Sequence, residues 1–460
     1  MIICKIRLSI FWDEKMSKKN TLKNITLAYN FSPETLNIDI DKILNASKSP
    51  KKHISVGIIG TAGHVDHGKS TVTESLTGKF PATHSEEILR GITIYLGYSH
   101  LDIYACMKDD TLSSITSNAS KKCPSGSSLH HIRCYSILDH PGHEILISTM
   151  LSGASIIDFG IVVIAANEPC PMPQTREHVA ALEVMGVNKI ICVQNKIELV
   201  PKEKLLENYR QIVNFFKNET SYDVPPIIPV SAALKINTEL ILAAILQYFP
   251  PQQPNTSGPA IMYIARSFDP NRPGTSIKNL GGGVIGGALK SGELKIGDEI
   301  EIRPGVITKS GEIVSLYSEI VSIRTDAGQK INKAQPHMLI GIGTNLDPSI
   351  AKSDGLVGNI AGKPQDLPPV VKKVIVKKIN MFEKVIGSRT ERLNVPLRRS
   401  ETILINVGTN TTLAQVDSID GDEAEIILEH PISIPKGERV ALLREIDREF
   451  RLVGYGLLDY

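Results

Sequence analysis

Hydrophobic and polar positions follow two different rhythms along this chain. From His53 to Tyr248, short apolar runs alternate with stretches of helical period. Ile54–Ile59 is an apolar run before a glycine-containing loop, and Ser70–Thr77 reads as a helix. Phe159–Ala166 reads as a buried strand, and Gln174–Met185 as a helix stopped by Gly186. Lys189–Gln194 is a further strand. Leu205, Tyr209, Ile212, Val213 and Phe216 then mark one helical face, and Ile227–Val230 and Lys235–Tyr248 close the series. Strand–helix alternation predicts an α/β domain, a mostly parallel sheet with helices on both faces. Beyond the linker-like Phe249–Pro259 the helical period vanishes. Leu294, Ile296, Ile300 and Ile302 alternate with polar residues, and turn residues recur at short intervals. A second proline-containing break, Lys363–Pro369, precedes another strand-rich stretch. The pattern predicts two β-barrel domains behind the α/β domain. The expected division is an N-terminal arm at 1–52, the α/β domain at 53–250, and barrels at 258–365 and 369–460.

Length and composition agree with this. The 460 residues suffice for about three domains at roughly 150 each. No run of ~18 uncharged apolar residues would span a bilayer. The apolar stretch Met1–Trp12 is interrupted by Lys5 and Arg7, is followed at once by Asp13 and Glu14, and shows no small-residue cleavage site, so a signal peptide is not expected. Met16 opens a more ordinary hydrophilic start, and the chain reads as cytoplasmic with no membrane partner. A net charge of +2 excludes the strongly basic class, so any nucleic-acid contact must come from local patches. The six cysteines are too scattered for a disulfide framework, and Cys192, in an apolar run, reads as a reduced core thiol.

The strongest chemical signal is Gly63-His64-Val65-Asp66-His67-Gly68-Lys69-Ser70, followed by Thr71: a complete G-x-x-x-x-G-K-S between a predicted strand and a predicted helix. Glycines let backbone amides turn inward around phosphate oxygens, and the new helix points its positive end the same way. Lys69 reaches the β- and γ-phosphates, and the Ser70 hydroxyl is a hard-oxygen ligand for Mg²⁺. Four further pieces appear in order. Arg90-Gly-Ile-Thr93 offers a threonine that ligates Mg²⁺ when a γ-phosphate is present. Asp139-His-Pro-Gly142-His143 supplies a carboxylate for a metal-bound water and an amide to sense that phosphate. Asn195-Lys196-Ile-Glu198 supplies a carboxylate for the guanine N1 and N2 donors. Ser231-Ala232-Ala233 offers a backbone amide to guanine O6. GTP or GDP with Mg²⁺ is the expected ligand. The glycine-rich run Gly281–Gly287 is not followed by a helix, so it reads as close backbone approach in a barrel rather than a dinucleotide loop.

These motifs resemble those of translational GTPases such as elongation factor Tu. LDHPGHEILISTMLSGASIID (138–158), NEPCPMPQTREHVAALEVMGV (167–187), QNKIELV (194–200), IARSFDPNRPG (264–274), KIGDEIEIRPG (295–305) and LIGIGTNLDP (339–348) resemble one branch, the gamma subunit of eukaryotic and archaeal translation initiation factor two. The resemblance runs from about Lys52 to Tyr460. It implies a GTPase domain followed by two barrels and a GTP-gated carrier of initiator methionyl-tRNA to the small ribosomal subunit. It further implies alpha and beta partner subunits, on the second domain and the G domain respectively, together with GTPase-activating and nucleotide-exchange factors. His143 matches the residue that positions the attacking water, and Val65 and Ile92 match its apolar gate. Arg266, Lys278, Lys290 and the cluster Arg389–Arg399 are candidate contacts to tRNA phosphates. The alternatives are a specialised elongation factor, for example for selenocysteyl-tRNA, and a non-hydrolysing GTP-binding scaffold. Two departures stand out. Glu198 occupies a position that is Asp in most GTPases. The family's four-cysteine zinc knuckle is reduced to Cys106 and Cys123, with Cys134, His130 and His131 nearby, so zinc is expected to be absent.

Overall fold

The computed structural model describes residues 54–81, 96–108, 111–123, 126–141, 147–272, 274–276, 280–308, 310–386 and 393–460. Seven strands build the first domain: β1 (Ile58–Ala62), β2 (Gly97–Lys108), β3 (Thr111–Thr116), β4 (Ser128–Asp139), β5 (Phe159–Ala165), β6 (Lys189–Asn195) and β7 (Ile227–Pro229). Their order in the sheet is β3-β2-β4-β1-β5-β6-β7. The five strands from β4 to β7 are parallel, while β2 runs antiparallel to both β3 and β4. The long β2–β3 hairpin was not legible as strand–helix alternation, because an antiparallel edge needs only a turn, not a crossover helix.

Among the described residues, five helices cover the sheet: α1 (Lys69–Thr77), α2 (Ile147–Ala154), α3 (Pro173–Val184), α4 (Lys202–Glu219) and α5 (Thr238–Tyr248). Successive β5 residues serve opposite faces, as the strand period requires. Ile161 and Val163 pack with Val72 and Leu76 of α1 and with Ile241 and Ile245 of α5. Val162 and Ile164 pack with Met150 of α2, Leu182 of α3 and Phe216 of α4. Three local expectations shift. The α5 helix starts at Thr238, since Lys235 and Asn237 have positive φ. The buried face of α4 is Leu205, Asn208, Ile212, Phe215 and Phe216, with Tyr209 and Val213 only partly covered. The strand before the glycine loop is centred later than Ile54–Ile59. Gly186, at φ 83, ends α3 as expected.

The second domain comprises β8 (Ile261–Phe268), β9 (Val284–Ser291), β10 (Leu294–Lys295), β11 (Glu299–Ile307), β12 (Ile313–Thr325), β13 (Lys330–Ile331), β14 (Lys333–Ala334), β15 (Leu339–Thr344), the short helix α6 (Pro348–Ala351) and β16 (Ile360–Gly362). The order β11-β16-β8-β9-β15-β12 closes on itself through β11–β12 pairing. Leu294, Ile300 and Ile302 face its core, but Ile296 is exposed because Gly297 turns the chain there at φ 88. The glycine run does what a barrel asks of it: a Cβ on Gly287 would stand 1.9 Å from the Tyr263 carbonyl oxygen. The third domain is a closed barrel of β17 (Val371–Met381), β18 (Thr402–Val407), β19 (Asn410–Asp420), β20 (Glu423–Ile432), β21 (Arg439–Ile446) and β22 (Glu449–Asp459).

One correction concerns cysteine. Cys106 on β2 and Cys123 form a disulfide, with Cα atoms 5.5 Å apart. The β2–β3 hairpin folds back and brings together thiols that look unrelated in the sequence. Cys192 is a buried free thiol whose pKa burial raises well above the usual range.

Candidate nucleotide site

β1 delivers the chain to the loop 63–68, and α1 carries it away. Both loop ends must be glycine. Gly63 has φ 132, and a Cβ there would stand 2.2 Å from the Val163 carbonyl oxygen. Gly68 has φ 90, and its Cβ would stand 2.4 Å from Asn195 Nδ2. At the end of β6, Asn195 donates to the His67 carbonyl at 3.0 Å and accepts from the Ala232 amide at 3.1 Å. One amide side chain therefore ties the phosphate loop to the Ser231–Ala233 loop. Gln174 and His178, one turn apart on α3, accept from the Val65 and Gly63 amides at 3.1 Å each. Sequence reasoning missed both. The available signal was two polar residues four apart on a helix face that the structure buries.

Lys69 is buried, and its ammonium donates to the Gly63 and His64 carbonyls at 3.0 and 2.8 Å. Burial pulls its pKa down to about 8, with Asp139 and Asp66 opposing. Ser70 Oγ donates to Asp139 Oδ2 at 2.6 Å, and Thr61 Oγ1 donates to Oδ1 at 2.6 Å. A hydroxyl and a carboxylate side by side, next to a buried ammonium, fit a hard divalent cation carried on phosphate. His67 is fully buried between the Val163 carbonyl and Glu168, at 3.2 and 3.3 Å. Burial lowers its pKa to about 3, with the hydrogen bond to the Val163 carbonyl opposing. His64 sits edge-on to it, ring centroids 5.2 Å apart. Val65 and Thr71 are half-buried, and Asp66 is exposed at the loop tip with φ 61.

At the other end, Lys196 turns the chain at φ 59 into the short turn Ile197–Leu199. Glu198 Oε2 is buried there without a hydrogen-bond partner. A buried acceptor lacking a donor fits a ligand with N–H groups on its edge, as guanine has. Ser231 and Ala232 are buried, and Ala233 is exposed. Ile92, Thr93, Gly142 and His143 lie outside the described residues, as do Lys278 and residues 389–392. Arg266 is paired with Asp354 at 3.0 Å and donates to the Leu96 carbonyl at 3.3 Å. Lys290 donates to the Ser155 carbonyl at 2.9 Å. Both thus bridge domains.

A glycine-bounded phosphate loop, a serine–aspartate pair and an Asn-Lys-x-Glu turn facing Ser-Ala, on a parallel sheet ahead of two closed barrels, define a GTP-binding protein of the translation-factor class. Residues 51–251 match the model of the elongation factor Tu GTP binding domain, and residues 373–458 match that of the initiation factor eIF2 gamma C terminal domain. Translation initiation factor 2 subunit gamma of Methanopyrus kandleri is 47% identical over 87% of this chain and 97% of its own length. The same subunit of Pyrococcus furiosus is 47% identical over 87% and 96%. Among solved structures, a bacterial selenocysteine-specific elongation factor aligns at TM-score 0.66 and 22% identity, over 88% of this chain and 58% of that one. Elongation factor SelB of Methanococcus maripaludis aligns at 0.65 and 21%, over 89% and 80%. These two share the fold. The chain belongs to the family of translation initiation factor 2 gamma subunits.

Proposed function

We propose that this chain is the GTP-binding subunit of a heterotrimeric initiation factor that carries initiator methionyl-tRNA to the small ribosomal subunit and hydrolyses GTP to GDP and phosphate. Family membership supports the initiation role. The observation that carries the nucleotide chemistry is the Ser70–Asp139 pair beside buried Lys69. Lys69 would leave the loop carbonyls for the β- and γ-phosphates. Ser70 and Thr93 would hold Mg²⁺, with Asp139 acting through water; the bound ion would supply charge neutralisation during phosphoryl transfer. His143 would position the attacking water, with Val65 and Ile92 as its gate. Asn195, Lys196, Glu198 and the Ser231–Ala233 loop would read guanine. Domain limits of 53–250, 258–365 and 369–460, a cytoplasmic location, alpha and beta subunits, and activating and exchange factors complete the reading. Among the described residues no helix is long and apolar enough to cross a membrane. The Cys106–Cys123 disulfide supports the absence of a zinc knuckle in that segment.

Filter binding of labelled methionyl initiator tRNA, with GDP or a slowly hydrolysed GTP analogue and with the partner subunits present, tests the carrier role. Tighter binding in the GTP state is expected, since tRNA and GTP must strengthen each other by the same factor. Equal affinity in both states overturns it, and preference for another aminoacyl-tRNA favours an elongation factor. His143→Ala should leave GTP binding nearly unchanged while lowering stimulated hydrolysis by about two decades or more.

A further inference from the structure

A second cluster of ligating side chains lies between β2, β4 and the turn after β12. His100 and Asp102 sit two apart on β2, hence on one face, and the β2–β4 register sets Asp102 opposite Cys134. His100 Nε2 stands 3.4 Å from Asp102 Oδ1 and 3.5 Å from Cys134 Sγ. The ligand atoms of all three residues lie within 4.8 Å of one another. Donors held about 2.0–2.3 Å from a tetrahedral ion stand roughly 3.3–3.8 Å apart, which brackets both measured separations. The 3.4 Å N–O distance is long for a hydrogen bond.

The surroundings add a second, independent observation. The other ring nitrogen, Nδ1, is 3.0 Å from Asp326 Oδ1, which the second domain contributes. A carboxylate on the far nitrogen of a ligating histidine fixes the ring and raises its basicity. The Asp326 side chain is only 2% exposed, and its Oδ2 is buried with no hydrogen-bond partner. His131 Nε2 lies 2.8 Å from Asp102 Oδ1, close enough to orient that carboxylate or to join the ligands.

We propose that His100, Asp102 and Cys134 form a site for one zinc-like divalent ion at the seam between the nucleotide-binding domain and the first barrel, with Asp326 orienting His100 from across the seam. A thiolate, an imidazole and a carboxylate together select zinc or a chemically similar ion over Mg²⁺ or Ca²⁺. This site departs from the expectation of a zinc-free protein, which counted Cys134 among the residues near a broken zinc knuckle.

The test is titration of the reduced, chelator-dialysed full-length protein with Co²⁺ alone, then with Zn²⁺. The expected result is one Co²⁺ per chain, with a thiolate-to-cobalt charge-transfer band that Zn²⁺ abolishes. Cys134→Ser should lose the band, and Asp326→Asn should keep it with affinity about 10–100-fold weaker. A Cys106→Ser/Cys123→Ser double variant should match the wild type. No band in the wild type, a band that survives in Cys134→Ser, or its loss in the double variant overturns the proposal. Should Cys134→Ser fail to fold by circular dichroism, Asp102→Asn decides: unchanged Co²⁺ affinity overturns the site, and a tenfold or greater loss supports it. GDP binding should be the same in every variant, which separates this site from the nucleotide site.

Discussion

The phosphate end of the sheet and the seam with the first barrel are both lined by buried polar side chains, yet they lack opposite charges. At the phosphate end, the Lys69 ammonium rests on two backbone carbonyls and the Gly63 and Val65 amides rest on α3 side chains. Every one of these is a donor held by a neutral acceptor, and an anion would satisfy them better. At the seam, two carboxylates and a thiol surround one imidazole, and a buried carboxylate oxygen has no partner. Strand β4 serves both places, through Asp139 at its end and Cys134 within it. The strand alone does not decide the chemistry; what crosses it does. A glycine loop and a helix start meet Asp139, whereas an antiparallel neighbour and a barrel turn meet Cys134.

If the phosphate end is the anion site, Lys69→Met should have the largest effect. It removes two or more charge-assisted contacts at ~1.5–3 kcal/mol each, so GDP affinity should fall by about 100-fold or more while thermal unfolding stays cooperative. Calorimetric titration at wild-type affinity would place the phosphates elsewhere. Glu198→Ala should weaken GDP binding by about 10–100-fold through loss of the charged bonds to guanine, and leave ADP binding as it was. Undiminished preference for GDP over ADP would mean that another group reads the base.

A smaller effect follows from the burial of Lys69. In the free protein its pKa is about 8, and phosphate oxygens would raise it again, so nucleotide binding takes up a proton above pH 8. The affinity is then full below pH 8 and falls above it, by up to about tenfold per pH unit until the bound-state pKa is reached. Lys69→Arg, which stays charged, should flatten the profile between pH 7 and 9. A pH-independent wild type would show that the ammonium is not what phosphate displaces from the carbonyls. The smallest effect is expected at the seam. His337 Nδ1 meets Asp158 Oδ1 at 2.7 Å in a partly exposed contact between the first two domains. His337→Ala should cost about 0.5–1.5 kcal/mol in denaturant unfolding and leave GDP affinity unchanged. A shift in GDP affinity there would show that the two regions are coupled.

Much of the nucleotide site could be read directly because its parts are contiguous. Residues 63–70 lie on one strand–loop–helix unit, and Asn195, Glu198 and Ser231 each follow a strand whose apolar run is visible. The helix at Gln174 was visible too, but not that its polar face would turn inward to grip the phosphate loop. Glu177 on the same face meets Arg451 at 2.5 Å, a buried pair reaching the last barrel. An amphipathic helix normally shows polar residues to water, so periodicity assigns such positions to the surface. Asn208, buried on α4 against the Glu168 carbonyl at 2.7 Å, escaped for the same reason.

By itself the sequence determined most of the strand–helix alternation outside the β2–β3 hairpin, the glycine-bounded loop, the Asn-Lys-x-Glu turn after a strand and the change from α/β to barrels. Those follow from local rules: periods of two and 3.6, and sterics at positive φ. Only the tertiary structure decided that Cys106 meets Cys123, that Gln174 and His178 support the loop, and that Asp326 faces His100 across a domain seam. Each of these joins residues far apart in the chain. Their meeting depends on strand register and domain docking, which are set by the packing of whole apolar faces rather than by the polar residues themselves.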